Sequence, residues 1–341
     1  MKRLFLNLLT HPLLDPVLRP LRHGRATILM LHRFETAPAD DDKISAGALR
    51  VNLEYLRRHR YDLVSLTSLV DAVRAGRTPP KNAVIFTVDD GYADFKDVAV
   101  PLFAAFDCPV TLFIATGPVD RAMWFWWDRI SYAFAKTREH RIALAVGPDT
   151  LRYRWESAVA RRVSAIDLSE RLKRVPEQER LDVIERLCRQ LRVEATGPLP
   201  EEYSMMTWDD VRGLAVSGLV DVAPHTVTHP ILTRVSEQRM YWEIVESWRR
   251  LREECPAAIP LFCYPNGTSA DYSSETIKAL QDAGFRGAVT TKEGYVGRHS
   301  GDVDSPYRLP RFSCPNDVAH LAQIVNGLER AKMALRAAAK T

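Results

Sequence analysis

The chain has 341 residues, 46% of them hydrophobic and 26% charged, with a formal net charge of +4. That composition belongs to a globular protein and excludes a disordered or collagen-like chain, and so small a charge does not point to nucleic acid. The length suits one barrel-sized α/β domain carrying an insertion.

The five cysteines (Cys108, Cys188, Cys255, Cys263 and Cys314) are odd in number and scattered, with no C-x-x-C pair. The pattern points to reduced thiols rather than a disulfide framework or a thiolate zinc site, and so to the cytoplasm. Residues 1–25 combine leucines with Lys2, Arg3, Arg19, Arg22 and Arg25. Asn7, His11, Pro12, Asp15 and Pro16 interrupt the apolar run that a signal peptide needs, and no stretch is long enough to span a bilayer. Such a segment can pack on the domain as a helix, or lie peripherally on the inner face of the membrane.

Along the chain, short apolar runs alternate with helical patterns. Residues 26–32 (ATILMLH) read as a buried strand, and 45–60 as a helix with Leu49, Leu53 and Leu56 on one face. Residues 83–88 (AVIFTV) form a second strand, 94–106 a helix and 110–115 (VTLFIA) a third strand. Residues 119–203 break the rhythm. Residues 141–155 alternate about Gly147-Pro148-Asp149 like a hairpin, and 167–193 read as helix, with Leu181, Ile184, Leu187 and Leu191 on one stripe. Further on, Thr207 and Asp210 form a capping box, and 219–223 is a strand. An amphipathic helix follows, marked by Ile244, Trp248 and Leu251. Strands at 261–264 and 285–290 flank a helix that stops at Gly284. Alternating strands and helices indicate a parallel β/α architecture. The expected division is a segment 1–25, a barrel 26–315 with an insertion 119–203, and a helix 316–341.

Two places carry chemistry. Thr87-Val88-Asp89-Asp90-Gly91 sets two acids at the C-terminal end of an apolar strand, where β/α folds place active sites. Taken alone, it also reads as an Asp-Gly turn with solvated carboxylates. His225-Thr226-Val227-Thr228-His229 follows another strand, and two histidines four apart can meet on one metal. A third, anionic ligand would complete a His₂-carboxylate set, which suits zinc with a position left for water.

These motifs, in this order, resemble the polysaccharide deacetylases of carbohydrate esterase family 4, the nodulation-type N-deacetylase homology domain. The family's T-F-D-D-G is matched by residues 87–91 with Val88 for Phe, and its H-[ST]-x-x-H by 225–229 in full. The similarity spans about 26–118 and 205–312 and includes TGPVD, MTWDDV and FCYPNG. It implies a distorted (β/α) barrel of about seven strands and a metal-dependent hydrolase, with a divalent ion, expected to be Zn²⁺. The implied partner is an N-acetylated carbohydrate, either an amino-sugar glycan or a lipid- or nucleotide-linked precursor, and acetate is released.

By the same resemblance Asp89 is the general base, and Asp90, His225 and His229 are metal ligands. Tyr264, in Tyr264-Pro265-Asn266-Gly267, supplies a backbone N–H to the oxyanion, with Pro265 and Asn266 near the substrate. The family's closing L-x-x-H is absent after Tyr264, but Leu29-Met30-Leu31-His32 has that form on the first strand. This is similar to the circularly permuted branch and makes His32 the expected general acid, with His299 as the weaker substitute. Arg311 is expected to hold Asp89 in place of the family's missing arginine, a surface arginine being the other reading. Trp124, Phe125, Trp126 and Trp127 open the insertion; their rings suit sugars or a core, and Asp128 suits a helix cap or a polar contact. Other readings of the same residues are an amidohydrolase on a small non-sugar amide, a lapsed glycan-binding homologue and a membrane-surface scaffold.

Overall fold

The structure is a computed structural model and describes residues 24–37, 43–120, 123–297 and 305–329. Most of the 1–25 segment, His299 and the end of the expected C-terminal helix therefore lie outside the described residues. Twelve strands occur among them: β1 (Ala26–Leu31), β2 (Arg33–Glu35), β3 (Lys43–Ser45), β4 (Asp62–Leu63), β5 (Ala83–Val88), β6 (Val110–Ile114), β7 (Arg141–Val146), β8 (Asp149–Arg154), β9 (Val220–Pro224), β10 (Leu261–Cys263), β11 (Gly287–Val289) and β12 (Phe312–Ser313).

The central sheet is parallel, in the order β12-β1-β5-β6-β9, with β4 also paired to β5. Every residue of β5 and β6 is buried, which is why both read as unbroken apolar runs. Beyond β9, the Ile259 N–H donates to the Val222 carbonyl at 2.8 Å, and the parallel pair β10–β11 follows. A bridge from Val289 to Leu309 then leads back towards β12. The result is a mixed α/β architecture, a central sheet with surrounding helices, consistent with a distorted barrel.

The expected helix at 45–60 is Ala46–Arg58, with the Ser45 hydroxyl accepting from the Ala48 N–H. The Thr207–Asp210 capping box is present. The expected helix at 94–106 instead opens as a π-turn, Phe95–Ala99, before the α-helix Val100–Ala105. Pro101, in the first turn of that α-helix, has no N–H to donate back, so the ladder is interrupted where the two helical forms meet.

Residues 141–154 form the expected antiparallel hairpin. The stretch expected as one helix at 167–193 is two, Ala158–Leu172 and Glu177–Leu191, parted at Pro176, whose ring forbids a continuous helix. With the helix Trp126–Lys136 they enclose a core of their own, including Ile130, Phe134, Leu168, Ile184 and Leu187. All five cysteines are unpaired. Among the described residues, no helix is long and apolar enough to cross a membrane.

Candidate active site

The register of the sheet assembles the site. Leu31 of β1 lies opposite Val88 of β5, so the next residues, His32 and Asp89, emerge side by side. Their nearest atoms, Nε2 and Oδ2, are 3.6 Å apart; Asp89 is buried while His32 is half-exposed. Ile114 of β6 lies opposite Pro224 of β9, which delivers His225 to the same edge, and the His225 N–H donates to the Ile114 carbonyl at 2.7 Å.

The loop from His225 to His229 is pinned from two sides. Gly117 donates its N–H to the Val227 carbonyl at 2.9 Å, and a Cβ on Gly117 would stand 2.8 Å from that oxygen, so only glycine fits. On the other side Glu243, with no solvent exposure, accepts from the Val227 N–H at 2.8 Å, the Thr228 N–H at 2.9 Å and the Thr228 hydroxyl. Asp90, Thr226 and His229 all have positive φ, at 79°, 68° and 56°. Side chains other than glycine adopt such angles at a cost, and they persist where the surroundings over-determine them.

His225, His229 and Asp90 converge. The two Nε2 atoms are 3.1 Å apart, and each lies 3.6–3.7 Å from Asp90 Oδ1. All three residues are buried, and Asp90 Oδ1 has no hydrogen-bond partner among the described residues. Ligands about 2.0–2.1 Å from a shared ion stand roughly 3–3.5 Å apart, so these separations fit a divalent cation.

The protonation states agree. Burial pushes the His225 pKa down to about 4 and that of His229 well below its usual value, leaving neutral imidazoles. The His225 Nδ1–H donates to the Cys263 carbonyl at 2.7 Å, which reserves Nε2 for the ion. Burial, then repulsion by Asp89 and Asp128, raises the Asp90 pKa well above the carboxylate range, so a cation is what would keep it ionised. These residues form a divalent-metal-binding site.

A second cluster, Asp89, His225 and Cys263, is also close-set. It does not suit an ion, because burial raises the Cys263 thiol pKa and keeps it protonated, and Arg311 already occupies Asp89. Arg311 is 1% exposed and grips both Asp89 oxygens at 2.8 Å. It also donates to the Thr290 carbonyl, the Thr87 hydroxyl and the Cys263 sulfur. Burial alone would raise the Asp89 pKa, but the Arg311 charge and hydrogen bonds override it and hold Asp89 ionised. The surface reading of Arg311 is thereby corrected.

The other expected residues divide. Trp127 stands edge-on to His229, with ring centroids 4.6 Å apart, and stacks on Phe125 at 4.3 Å. Its indole N–H donates to the Tyr92 hydroxyl at 3.1 Å, which in turn donates to buried Asp128 at 2.7 Å. Trp124 and Trp126 line a cleft of about 970 Å³ beside the His225–His229 loop, together with Thr228 and Met205. The Tyr264 backbone N–H, expected to face an oxyanion, instead donates to the Val289 carbonyl at 3.3 Å in the β10–β11 pairing. That expectation is corrected: the sheet has taken the donor. In the same loop Asn266 Nδ2 is buried without a partner among the described residues.

Glu243, Cys263 and Tyr92 were not singled out from the sequence. Glu243 had a signal: it falls on the buried stripe Met240, Glu243, Ile244, Ser247, Leu251 of the helix Glu237–Glu254, and a carboxylate in such a stripe needs partners.

Comparison with known proteins agrees with this geometry. A model of the polysaccharide deacetylase family matches residues 176–288, so that stretch of the chain is similar to the family. The poly-beta-1,6-N-acetyl-D-glucosamine N-deacetylase of Escherichia coli K12 is 33% identical over 93 residues, 27% of this chain and only 14% of that protein's length. Among solved structures, the Streptococcus pyogenes deacetylase PplD in complex with acetate has a TM-score of 0.57 at 17% identity, covering 88% of this chain and 98% of its own. IcaB from Ammonifex degensii has a TM-score of 0.57 at 18% identity, covering 89% and 97%. At these identities the structural likeness concerns the fold.

Two outcomes follow. Glu243→Ala strips the loop of its buried acceptor and should cost about 3 kcal/mol of unfolding free energy, with weaker metal binding; a denaturation midpoint and metal affinity equal to wild type would contradict the bracing role. Burial also pushes the Asp128 pKa up to about 7. Unfolded aspartate ionises near 3.9, so the stability due to protonated Asp128 is full below about pH 4 and is lost as pH rises to about 7, by about 1.4 kcal/mol for each pH step within that window. Asp128→Asn does not titrate, so its stability relative to wild type should climb across that window. A flat difference would show that Asp128 is ionised throughout.

Proposed function

We propose that the protein is a metal-dependent hydrolase that removes N-acetyl groups from a carbohydrate and releases acetate. The observation that carries this reading is the Asp90–His225–His229 set, with ionised Asp89 and half-exposed His32 on the same rim. The Escherichia coli relative, named for N-deacetylation of an N-acetylglucosamine polymer, supports the substrate class. Two imidazoles and one carboxylate favour zinc. Unpaired cysteines accord with a cytoplasmic setting, and a peripheral membrane contact by residues 1–25 belongs to the same reading. The strand order accords with a roughly seven-stranded barrel whose first strand takes a permuted place between β12 and β5.

A bound divalent ion would polarise the acetyl carbonyl and make water more acidic. The chain's own residues do the rest. Asp89 accepts the proton of the attacking water; the Arg311 fork keeps it ionised and fixes its two oxygens. Arg311 acts through Asp89 and is a positioning residue. His32 gives a proton to the departing nitrogen. Partial burial lowers its pKa, and the Asp89 carboxylate opposes that shift. Asn266 Nδ2 is the donor from the Tyr264 loop that remains free for the substrate's acyl oxygen. Trp127 forms a wall beside His229 against which a sugar ring packs.

The first test is acetate release from a set of N-acetyl sugars, compared with acetylated small amines. Release from the sugars is expected; release from the amines alone would overturn the carbohydrate reading. The second is His32→Ala. An amide nitrogen leaves poorly unless protonated, and general acid catalysis is worth about 10²–10⁴-fold. The variant should keep its metal and its fold, lose about that factor on an N-acetyl sugar, and lose far less on an acetate ester with a good leaving group. Equal losses on both substrates would remove His32 from the acid role.

A further inference from the structure

We infer that the cleft beside the metal loop holds a cationic subsite for a phosphate group of the substrate, centred on Arg180. This deepens the deacetylase reading and rests on it for the identity of the substrate. The substrate it selects is a phosphate-bearing N-acetyl sugar, a sugar phosphate or a nucleotide- or lipid-linked diphosphate, rather than a neutral polymer.

Arg180 is 1% exposed, yet its Nε and Nη1 have no hydrogen-bond partner among the described residues. Its contacts are Glu177, with Oε1 3.6 Å from Nη2, and the face of Trp126, 5.0 Å from the guanidinium carbon. Leaving a buried guanidinium so poorly paired is costly. The same cleft is lined by Arg129, Arg239, Glu177 and Thr228. Arg239 Nε also has no partner among the described residues, nor has the indole N–H of buried Trp126. Every buried, unpartnered polar side-chain atom along this lining is thus a donor. Donors without acceptors call for a ligand that is all acceptor. Arg129 is paired with Glu185 at 2.7 Å and Arg239 with Glu243 at 2.8 Å, so the charge left to neutralise is that of Arg180, whose neighbour Glu177 stands 3.6 Å away.

These N–H groups sit on three separate side chains. A phosphate presents three or four oxygens in a tetrahedron and can serve them, whereas a carboxylate offers two in a plane. Position supports the same ligand. Arg239 Nη2 is 3.3 Å from the Thr228 hydroxyl, inside the loop that carries both metal-binding histidines. A phosphate held here would anchor a sugar beside the metal centre. At about 970 Å³ the cleft lies near the top of the usual range for small-molecule sites, about 300–1,000 Å³.

The test is calorimetric binding of methyl phosphate to the full chain, metal-loaded and metal-stripped. Wild type should bind in both states. Arg180→Met, which keeps the stem and removes the charge, should weaken binding at least about tenfold, equivalent to about 1.4 kcal/mol, while metal content stays at the wild-type level; Arg180→Lys should restore part of it. Binding that vanishes on metal removal and is unchanged in Arg180→Met would place phosphate on the metal and overturn the proposal. So would absence of binding in both states, or tighter binding of acetate or a glucuronide, which would make this a carboxylate site. Should Arg180→Met fail to unfold cooperatively, Trp126→Phe keeps the ring, removes one donor and should still weaken binding several-fold; unchanged binding there would count against the subsite. Because binding needs no turnover, a chain that binds phosphate but releases no acetate would fail the deacetylase reading and leave the subsite standing.

Discussion

Two buried charges, Asp89 and Arg311, hold the site together from opposite ends of the chain. Both guanidinium branches meet both carboxylate oxygens, and the remaining donors reach the Thr290 carbonyl, the Thr87 hydroxyl and Cys263. One side chain thereby ties β5 to the ends of β10 and β11 and to the approach to β12. Taking two ions from water costs several kcal/mol each, recovered only when the pair is well aligned and fully hydrogen-bonded. This pair meets both conditions. It also leaves the neighbouring acid unserved: Arg311 spends its charge on Asp89, and Asp90 Oδ1 faces two neutral imidazoles with no donor among the described residues. The local electrostatics lack one cation, at the point where three ligand atoms meet.

The backbone follows from the same requirement. Asp90 and His229 reach that point only through left-handed φ angles, as does Thr226 between the histidines. Such angles cost of order 1 kcal/mol or more each for residues other than glycine. The surroundings hold them in place. Glu243 takes the loop's N–H groups, Gly117 lets the neighbouring chain approach the Val227 carbonyl, and Gly91, with φ of 97°, turns the chain away after the paired acids. Strain at the metal loop is thus balanced by a buried acceptor 14 residues beyond His229, which is why the helix Glu237–Glu254 matters to chemistry it does not perform.

Much of this was legible in the sequence where one physical pattern decides the outcome. Fully buried parallel strands must be apolar throughout, and β5 and β6 are. Paired acids and paired histidines at strand ends follow from the chemistry they serve, and the parallel register then sets His32 beside Asp89. Long-range partners were less legible. Arg311 was placed, but its burial was not; Cys263 acts through its carbonyl, which leaves no mark in the residue type. The Tyr264 N–H donates to the Val289 carbonyl of β11, a register that the strand assignments alone do not fix. The tryptophans looked alike in sequence, yet only Trp127 packs against His229, because the helix starting at Trp126 turns its neighbours towards the insertion's core and the cleft.

The central claim is that one divalent ion held by Asp90, His225 and His229 makes this chain an N-deacetylase. The direct measurement is acetate release from an N-acetyl sugar as zinc is titrated into metal-stripped protein, with bound metal determined at each point. The account predicts no release at the start, a linear rise and a plateau at one bound ion per chain, with no rise in an Asp90→Ala chain. Acetate release from the fully stripped protein, or a rise that Asp90→Ala shares, would contradict it.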